Sequence, residues 1–391
     1  MGSKILFLYL KTGGGHLAPA KAVSSWVQAN SIQDVEIDLY DGFTGVSPIV
    51  KHTIEDGYRI SQSRFKIIFE ALYAINKFKP IAKLTSWIIS KVVMANLEKY
   101  ILSASPSKIV IFHFFLIKPT LKILRKHKLT TPVVTVITDP FTAHPIWFLE
   151  RPKSIIVFSN KLKRELIDNK GYDDSSVLVF PFTVNPKFSA PATIQQQLAV
   201  RAYLGIENSS RVILILGGAD GIPNGEKLLK AFAKSGIENP IVLVCGKSKY
   251  LKRIAQTIKV DYNFNNLHIL GYIDFVYELI SIADVVVTKC GASTFMEVLL
   301  CGKIPLVNSY IWEQEKGNVD FICEKGLGIF ESNPKRLVEI VKLMVNNPSF
   351  QIPFLRNIKN IGLKNGTSAV SDYIIKNENK HESSGNIRLA Y

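Results

Sequence analysis

No stretch of this chain reaches the roughly 18 uninterrupted apolar residues that a membrane-spanning helix needs. The longest candidate, residues 109–117, is broken by His113 and has the length of a strand. Cysteine is scarce. Cys245, Cys290, Cys301 and Cys323 all fall in the second half and form no C-x-x-C pair, which argues against a zinc ribbon or a disulfide scaffold and predicts reduced, buried thiols. A D-x-D pair, which would hold a divalent cation against a diphosphate, is absent as well, so no metal or other cofactor is expected. Met1-Gly2-Ser3-Lys4 passes straight into the apolar run 5–10 without a small-residue cleavage site. No export signal is read there, and a cytoplasmic location is expected.

Acidic residues are also in short supply: 32 against 48 basic ones leave a net charge of +16, which implies anionic partners. Most of that excess, +11, lies in residues 1–190. Its densest part, residues 58–91, sets Arg59, Arg64, Lys66, Lys77, Lys79, Lys83 and Lys91 against the single acid Glu70, interleaved with Phe65, Phe69, Tyr73, Phe78 and Trp87. Around Ile81, Leu84, Trp87, Ile88 and Val92 the apolar residues recur at helical spacing, with Lys83 and Lys91 placed to meet anionic headgroups. The same pattern also fits an amphipathic helix packed on a sheet. Nucleic acid could stack on these aromatics, but no nucleic-acid module accompanies them.

At 391 residues, two domains of somewhat under 200 residues each are expected. Each half opens alike. The apolar run 5–10 leads into Thr12-Gly13-Gly14-Gly15-His16, and the run 212–216 into Gly217-Gly218-Ala219-Asp220-Gly221. Further apolar runs at 35–39, 109–115, 133–137, 155–158, 241–245, 285–287 and 305–307 alternate with helical patterns. This is the signature of a parallel α/β sheet, present twice, and predicts two Rossmann-like domains facing across a cleft. Pro181, Pro186 and Pro191 place the division, giving an acceptor and membrane-binding domain at 1–185, a nucleotide-sugar domain at 186–376 and a loose polar tail at 377–391.

In open parallel sheets, ligands bind beyond the carboxyl ends of the strands, where glycine turns let backbone N–H groups approach phosphates. The first loop also reads as G-x-G-x-x-A through Gly13, Gly15 and Ala18, with Asp38 or Asp41 near the place of a ribose-binding acid, so a dinucleotide-dependent oxidoreductase is one alternative. It leaves the second glycine turn without a role. More informative is Thr288-Lys289-Cys290-Gly291-Ala292-Ser293-Thr294-Phe295-Met296-Glu297, a strand passing through a small-residue turn into a helix. Ser293 and Thr294 could hold a diphosphate and Glu297 a ribose diol, or the three could be an ordinary capping pair followed by an acid.

The Gly13-Gly14-Gly15-His16 loop, the segment Val136-Ile137-Thr138-Asp139-Pro140-Phe141-Thr142-Ala143-His144-Pro145-Ile146-Trp147-Phe148, the turn from Lys289 to Glu297 and Gln314-Glu315-Lys316-Gly317-Asn318 occur in that order. As a set they resemble the diacylglycerol glycosyltransferases, that is, the monogalactosyldiacylglycerol synthases and processive glucosyltransferases, relatives of the peptidoglycan lipid I transferase MurG in glycosyltransferase family 28. The resemblance implies a GT-B fold and an inverting transfer of galactose or glucose from a UDP-sugar to diacylglycerol, with no metal needed for the chemistry. It also implies a location on the inner face of the cell membrane. A neighbouring activity, N-acetylglucosamine transfer to a polyprenyl-linked acceptor, is the other alternative.

By that resemblance Gly217, Gly218 and Gly246 are donor-side loop glycines, and Gly271, Tyr272 and Ile273 read the uracil. Ser293, Thr294 and Glu297 hold diphosphate and ribose, while Gln314, Glu315 and Asn318 border the sugar. Inversion needs a base for the acceptor hydroxyl. Either His16 or Asp139 could take that proton, His16 being alternatively a donor to the diphosphate. His144 is expected to brace the Pro145-Ile146-Trp147 turn, and His113 to be a satisfied core histidine.

Overall fold

The computed structural model describes residues 3–11, 14–30, 35–63 and 66–376, with 56, 58–63 and 66–69 as backbone alone. Gly13 and the tail 377–391 lie outside the described residues. The first sheet comprises β1 (Ser3–Tyr9), β2 (Val35–Asp41), β3 (Lys108–Ile111), β4 (Val133–Val136), β5 (Ser154–Val157) and β6 (Val177–Val179). The second comprises β7 (Ile213–Leu216), β8 (Ile241–Val244), β9 (Leu267–Leu270), β10 (Val285–Lys289), β11 (Pro305–Ser309) and β12 (Ile329–Phe330). All recorded pairings are parallel. Helices connecting parallel strands cover both faces of a sheet, which is why its strands read as unbroken apolar runs such as Ile213-Leu214-Ile215-Leu216.

Strand order in the first sheet is β2-β1-β3-β4-β5-β6 and in the second β12-β11-β10-β7-β8-β9. Each order reverses once, between β1 and β3 and between β7 and β10. The second sheet has the order of a dinucleotide-binding fold, whose ligand crevice opens where the direction reverses. The apolar run 109–115 is strand only as far as Ile111. His113 then accepts a hydrogen bond from the Phe115 N–H at 3.3 Å and starts a single 3₁₀ turn, Phe114–Leu116, ahead of the helix Ile117–Lys126.

The chain divides after Pro186, but the expected second domain does not extend to 376. Lys187–Lys364 forms one unit, and residues 365–376 return to the first. The cause is a set of contacts that join distant parts of the chain. The Gly366 N–H donates to the Phe182 carbonyl at 2.9 Å, and Thr367 Oγ1 to the Val184 carbonyl at 2.7 Å. The helix Thr367–Ile375 packs on the helix Gly14–Asn30. At its far end the buried Lys108 Nζ donates to the carbonyls of Ile374 and Lys376, a cation closing a helix C-terminus.

The helix Lys79–Ala104 has two apolar faces. Ile89, Val93, Leu97 and Ile101 join the core of the first unit around Leu6, Leu8 and Ile111. Toward its start Leu84, Trp87 and Ile88 face outward, Trp87 at 50% exposure, and Phe78 just ahead of the helix is 68% exposed. Among the described residues no helix is long and apolar enough to cross a membrane. The thiols depart from expectation: Cys245 and Cys290 are buried, but Cys301 is half-buried and Cys323, on the outer side of the helix Trp312–Glu324, is exposed.

Candidate active site

In the second unit, the loops after β7, β8 and β10 converge at the reversal point. Gly217 permits the first: a Cβ there would lie 2.2 Å from the Ile222 Cα, so the loop can fold back on itself only with glycine. Gly218 and Gly246 take left-handed backbone, at φ of 81° and 56°, which side chains disfavour. A Cβ on Gly246 would lie 2.3 Å from the Ala219 carbonyl oxygen, and the Lys247 N–H donates to that same oxygen at 2.7 Å. Two glycine loops are thereby clasped together.

The helix Ala292–Leu300 begins beside them. Thr294 Oγ1 is the side-chain atom nearest the open space above Gly218. Phe295 makes the first helical backbone bond, to Gly291, so the preceding N–H groups have no helical acceptor. Ser293 Oγ is buried and has no partner. An unpaired buried hydroxyl costs about 1–3 kcal/mol, and together with open N–H groups at the positive end of a helix it fits a diphosphate. One turn on, burial pushes the Glu297 carboxyl up to about 8.

The segment expected to border the sugar is partly committed to the protein. Glu315 is buried: its Oε1 accepts from Lys289 Nζ at 3.0 Å and its Oε2 from the Ile311 N–H at 2.7 Å. It is neither a solvated helix start nor a free carboxylate, but a brace tying the helix Trp312–Glu324 to the end of β10. Asn318 Nδ2 donates to the Cys290 carbonyl, while its Oδ1 is buried with no partner. Gln314 immediately precedes Glu315 on the same helix. Tyr272 is exposed with Lys247 Nζ 5.5 Å over its ring, and Gly271 and Ile273 beside it are half-buried.

In the first unit, neighbouring strands β1, β3 and β4 deliver a second cluster. Gly14 and Gly15 open the helix Gly14–Asn30, which carries His16 inward. His16 Nδ1 lies 3.0 Å from the Phe112 carbonyl and 2.8 Å from Thr138 Oγ1, and its ring packs against His113, Phe114 and Trp147. Burial lowers its pKa to about 4, so the imidazole is neutral at pH 7. Asp139, also buried, accepts from Trp147 Nε1 at 3.0 Å. The two candidate bases therefore flank one indole. His144 accepts from the Ile146 N–H and reaches the Tyr73 carbonyl, the bracing role expected of it. His113 is fully enclosed, and burial followed by the His16 charge holds its pKa well below the ordinary value.

Asp38 and Asp41 do not await a ribose. Asp38 accepts from the Tyr100 hydroxyl, and Asp41 from Lys51 Nζ and the Phe43 N–H. The dinucleotide reading loses its acid for this reason. Of the basic stretch, Lys79, Lys83 and Lys91 are exposed beside the apolar residues of the helix Lys79–Ala104, and Lys91 lies 5.7 Å over the Trp87 ring. Lys77, also exposed, sits over Tyr73. The side chains of Arg59, Arg64 and Lys66 lie outside those described. Sequence reasoning missed Thr138, Trp147 and Lys289 as site residues. Each acts on a partner that no local motif links to it.

Two parallel α/β units, the second with its glycine loops at the reversal point, make up the GT-B fold. Across the whole chain the fold matches Acinetobacter baumannii MurG, at a TM-score of 0.58, 17% identity and coverage of 95% of this chain and 99% of that one. It also matches Anabaena HepE in complex with UDP-glucose, at 0.59, 13%, 95% and 98%. Residues 16–184 match the family model of the monogalactosyldiacylglycerol (MGDG) synthases, and 212–354 that of the glycosyltransferase family 28 C-terminal domain. The N-terminal part of the chain is thus similar to the MGDG synthases and the C-terminal part to the glycosyltransferases of family 28.

Among curated relatives, Arabidopsis thaliana MGDG synthase 3 is 28% identical, the alignment covering 86% of this chain and 73% of that protein. The processive diacylglycerol β-glucosyltransferase of Bacillus pumilus is 24% identical over 95% and 94%. MGDG synthase 1 of Arabidopsis is 26% identical, and the chain spans only 64% of its length.

Proposed function

We propose that the protein transfers galactose or glucose from a UDP-sugar to diacylglycerol at a membrane surface, with inversion to a β-glycoside. The observation that carries this reading is the second unit's anion cradle: clasped glycine loops, an open helix N-terminus and the orphaned Ser293 hydroxyl. Its supports are the printed activities of relatives over most of the chain, diacylglycerol glucosylation and MGDG synthesis.

On this reading Ser293, Thr294 and the first N–H groups of their helix hold the diphosphate, Glu297 the ribose diol, and Gly271 to Ile273 the uracil. The charge that grows on departing UDP is met by fixed dipoles and N–H donors, so no metal is needed for the step. In the first unit, His16 Nε2 or Asp139 takes the proton of the acceptor hydroxyl as its oxygen attacks the anomeric carbon opposite UDP. His16 suits the task, being neutral and committed to the protein through Nδ1 alone.

Diacylglycerol stays in the bilayer, so the enzyme must come to it. Phe78, Leu84, Trp87 and Ile88 form an apolar surface that could enter the headgroup region, ringed by Lys77, Lys79, Lys83 and Lys91 for anionic lipids. The test is UDP release by the purified protein with diacylglycerol vesicles. Release with UDP-galactose or UDP-glucose supports the proposal. Release that needs UDP-N-acetylglucosamine and a polyprenyl-linked acceptor, or no release with any of these, contradicts it.

A further inference from the structure

We infer that Thr138, acting with the Phe112 carbonyl, is a positioning residue that fixes the His16 imidazole as its Nδ1–H tautomer and leaves Nε2 as the basic nitrogen. This rests on the glycosyl-transfer reading for its purpose but not for its geometry. The segments following three adjacent strands build the arrangement: β1 leads to the helix that carries His16, β3 to Phe112 and β4 to Thr138. All three residues are buried. The Phe112 carbonyl can only accept, so its 3.0 Å contact with Nδ1 requires the proton to be on Nδ1. The Thr138 hydroxyl oxygen, 2.8 Å from the same nitrogen, shares that proton as a second acceptor.

With Nδ1–H held by two oxygens, the ring cannot turn over, and the only lone pair left is on Nε2. Its surroundings add no charge that would do this job: the ring of His113 lies 4.3 Å away and is itself neutral, and Asp139 is engaged with Trp147. When Nε2 takes a proton from the acceptor hydroxyl, the new positive charge spreads to Nδ1–H, and the two acceptors stabilise it where it appears. Phe112 contributes through its backbone and cannot be altered by substitution. Thr138 can, and its removal should weaken His16 as a base without touching donor binding.

The experiment combines nitrogen NMR of the full chain with kinetics. In ¹⁵N-histidine-labelled protein at pH 7, with His16 assigned by loss of its signals in His16→Gln, Nδ1 is expected at the shift of a protonated nitrogen and Nε2 at that of a bare one. The reverse pattern, or an average of the two tautomers, overturns the inference, and neither result needs an active enzyme. Thr138→Val, close in shape, should move the His16 nitrogen shifts and lower kcat about tenfold, with KM for the UDP-sugar and affinity for UDP unchanged. Thr138→Ser should restore both. Wild-type shifts and kcat in the valine variant, or no recovery with serine, would overturn it. If the valine variant fails to fold, the wild-type nitrogen pattern and the serine variant's kcat decide.

Discussion

Glu297→Gln isolates the electrostatics of the donor site. Burial lifts the Glu297 carboxyl from 4.5 to about 8, so at pH 7 roughly nine molecules in ten carry the proton. Between those values the folded state keeps a proton that the unfolded chain releases. Stability therefore falls as pH rises through this window, by about 1.4 kcal/mol per pH unit and about 5 kcal/mol in all. Glutamine has the same shape and does not titrate. Urea unfolding of both proteins from pH 5 to 8.5 without UDP should show the glutamine variant gaining about 4 kcal/mol on the wild type across that range.

UDP should reverse the bias. The ribose diol donates hydrogen bonds and prefers the carboxylate, so binding expels the proton. Affinity of the wild type should then rise up to about tenfold per pH unit toward pH 8 and level off beyond it. Titration of UDP's own phosphate is common to both proteins and drops out of the comparison. Parallel stability curves for wild type and variant would refute the reasoning, because Glu297 would then be ionised in the folded protein as it is in the unfolded one.

Breaking the Glu315 brace by Lys289→Met leaves a buried carboxylate without its cation, and a loss of about 3 kcal/mol in urea unfolding is expected. The double substitution Lys289→Met, Glu315→Gln should recover most of that stability. Gly246→Ala forces a Cβ to within 2.3 Å of the Ala219 oxygen on a left-handed backbone, and calorimetry should find UDP binding abolished. Replacing Lys77, Lys79 and Lys83 by Glu should weaken binding to anionic vesicles by at least about 3 kcal/mol, a hundredfold, and leave neutral vesicles nearly unaffected. Sedimentation with both vesicle types reads the difference.

Both sheets were legible because their strands are buried on two faces and so read as short apolar runs such as Val285-Val286-Val287. The donor turn was legible for a related reason, since glycines at close backbone approaches must be written into the chain. What escaped are pairings whose members are far apart. Lys108 sits 266 residues before the carbonyl it caps, and that single cation, with Gly366 and Thr367, carries the last helix back to the first unit. Thr138 and His16 are 122 residues apart. Nothing local in the sequence pairs Glu315 with a cation, and only the fold brings Lys289 to it. The four-residue shortening of the strand after Lys108 has a local cause, the His113 side chain capturing a backbone N–H, which hydropathy does not register.

Whether the sugar passes to diacylglycerol as a β-glycoside is read from the stereochemistry of the product. Purified protein incubated with diacylglycerol vesicles and UDP-galactose or UDP-glucose should yield a glycolipid whose anomeric proton shows the large coupling of a β-linked sugar by NMR. An α-linked product, or UDP released with the sugar set free in water and no glycolipid formed, would contradict it.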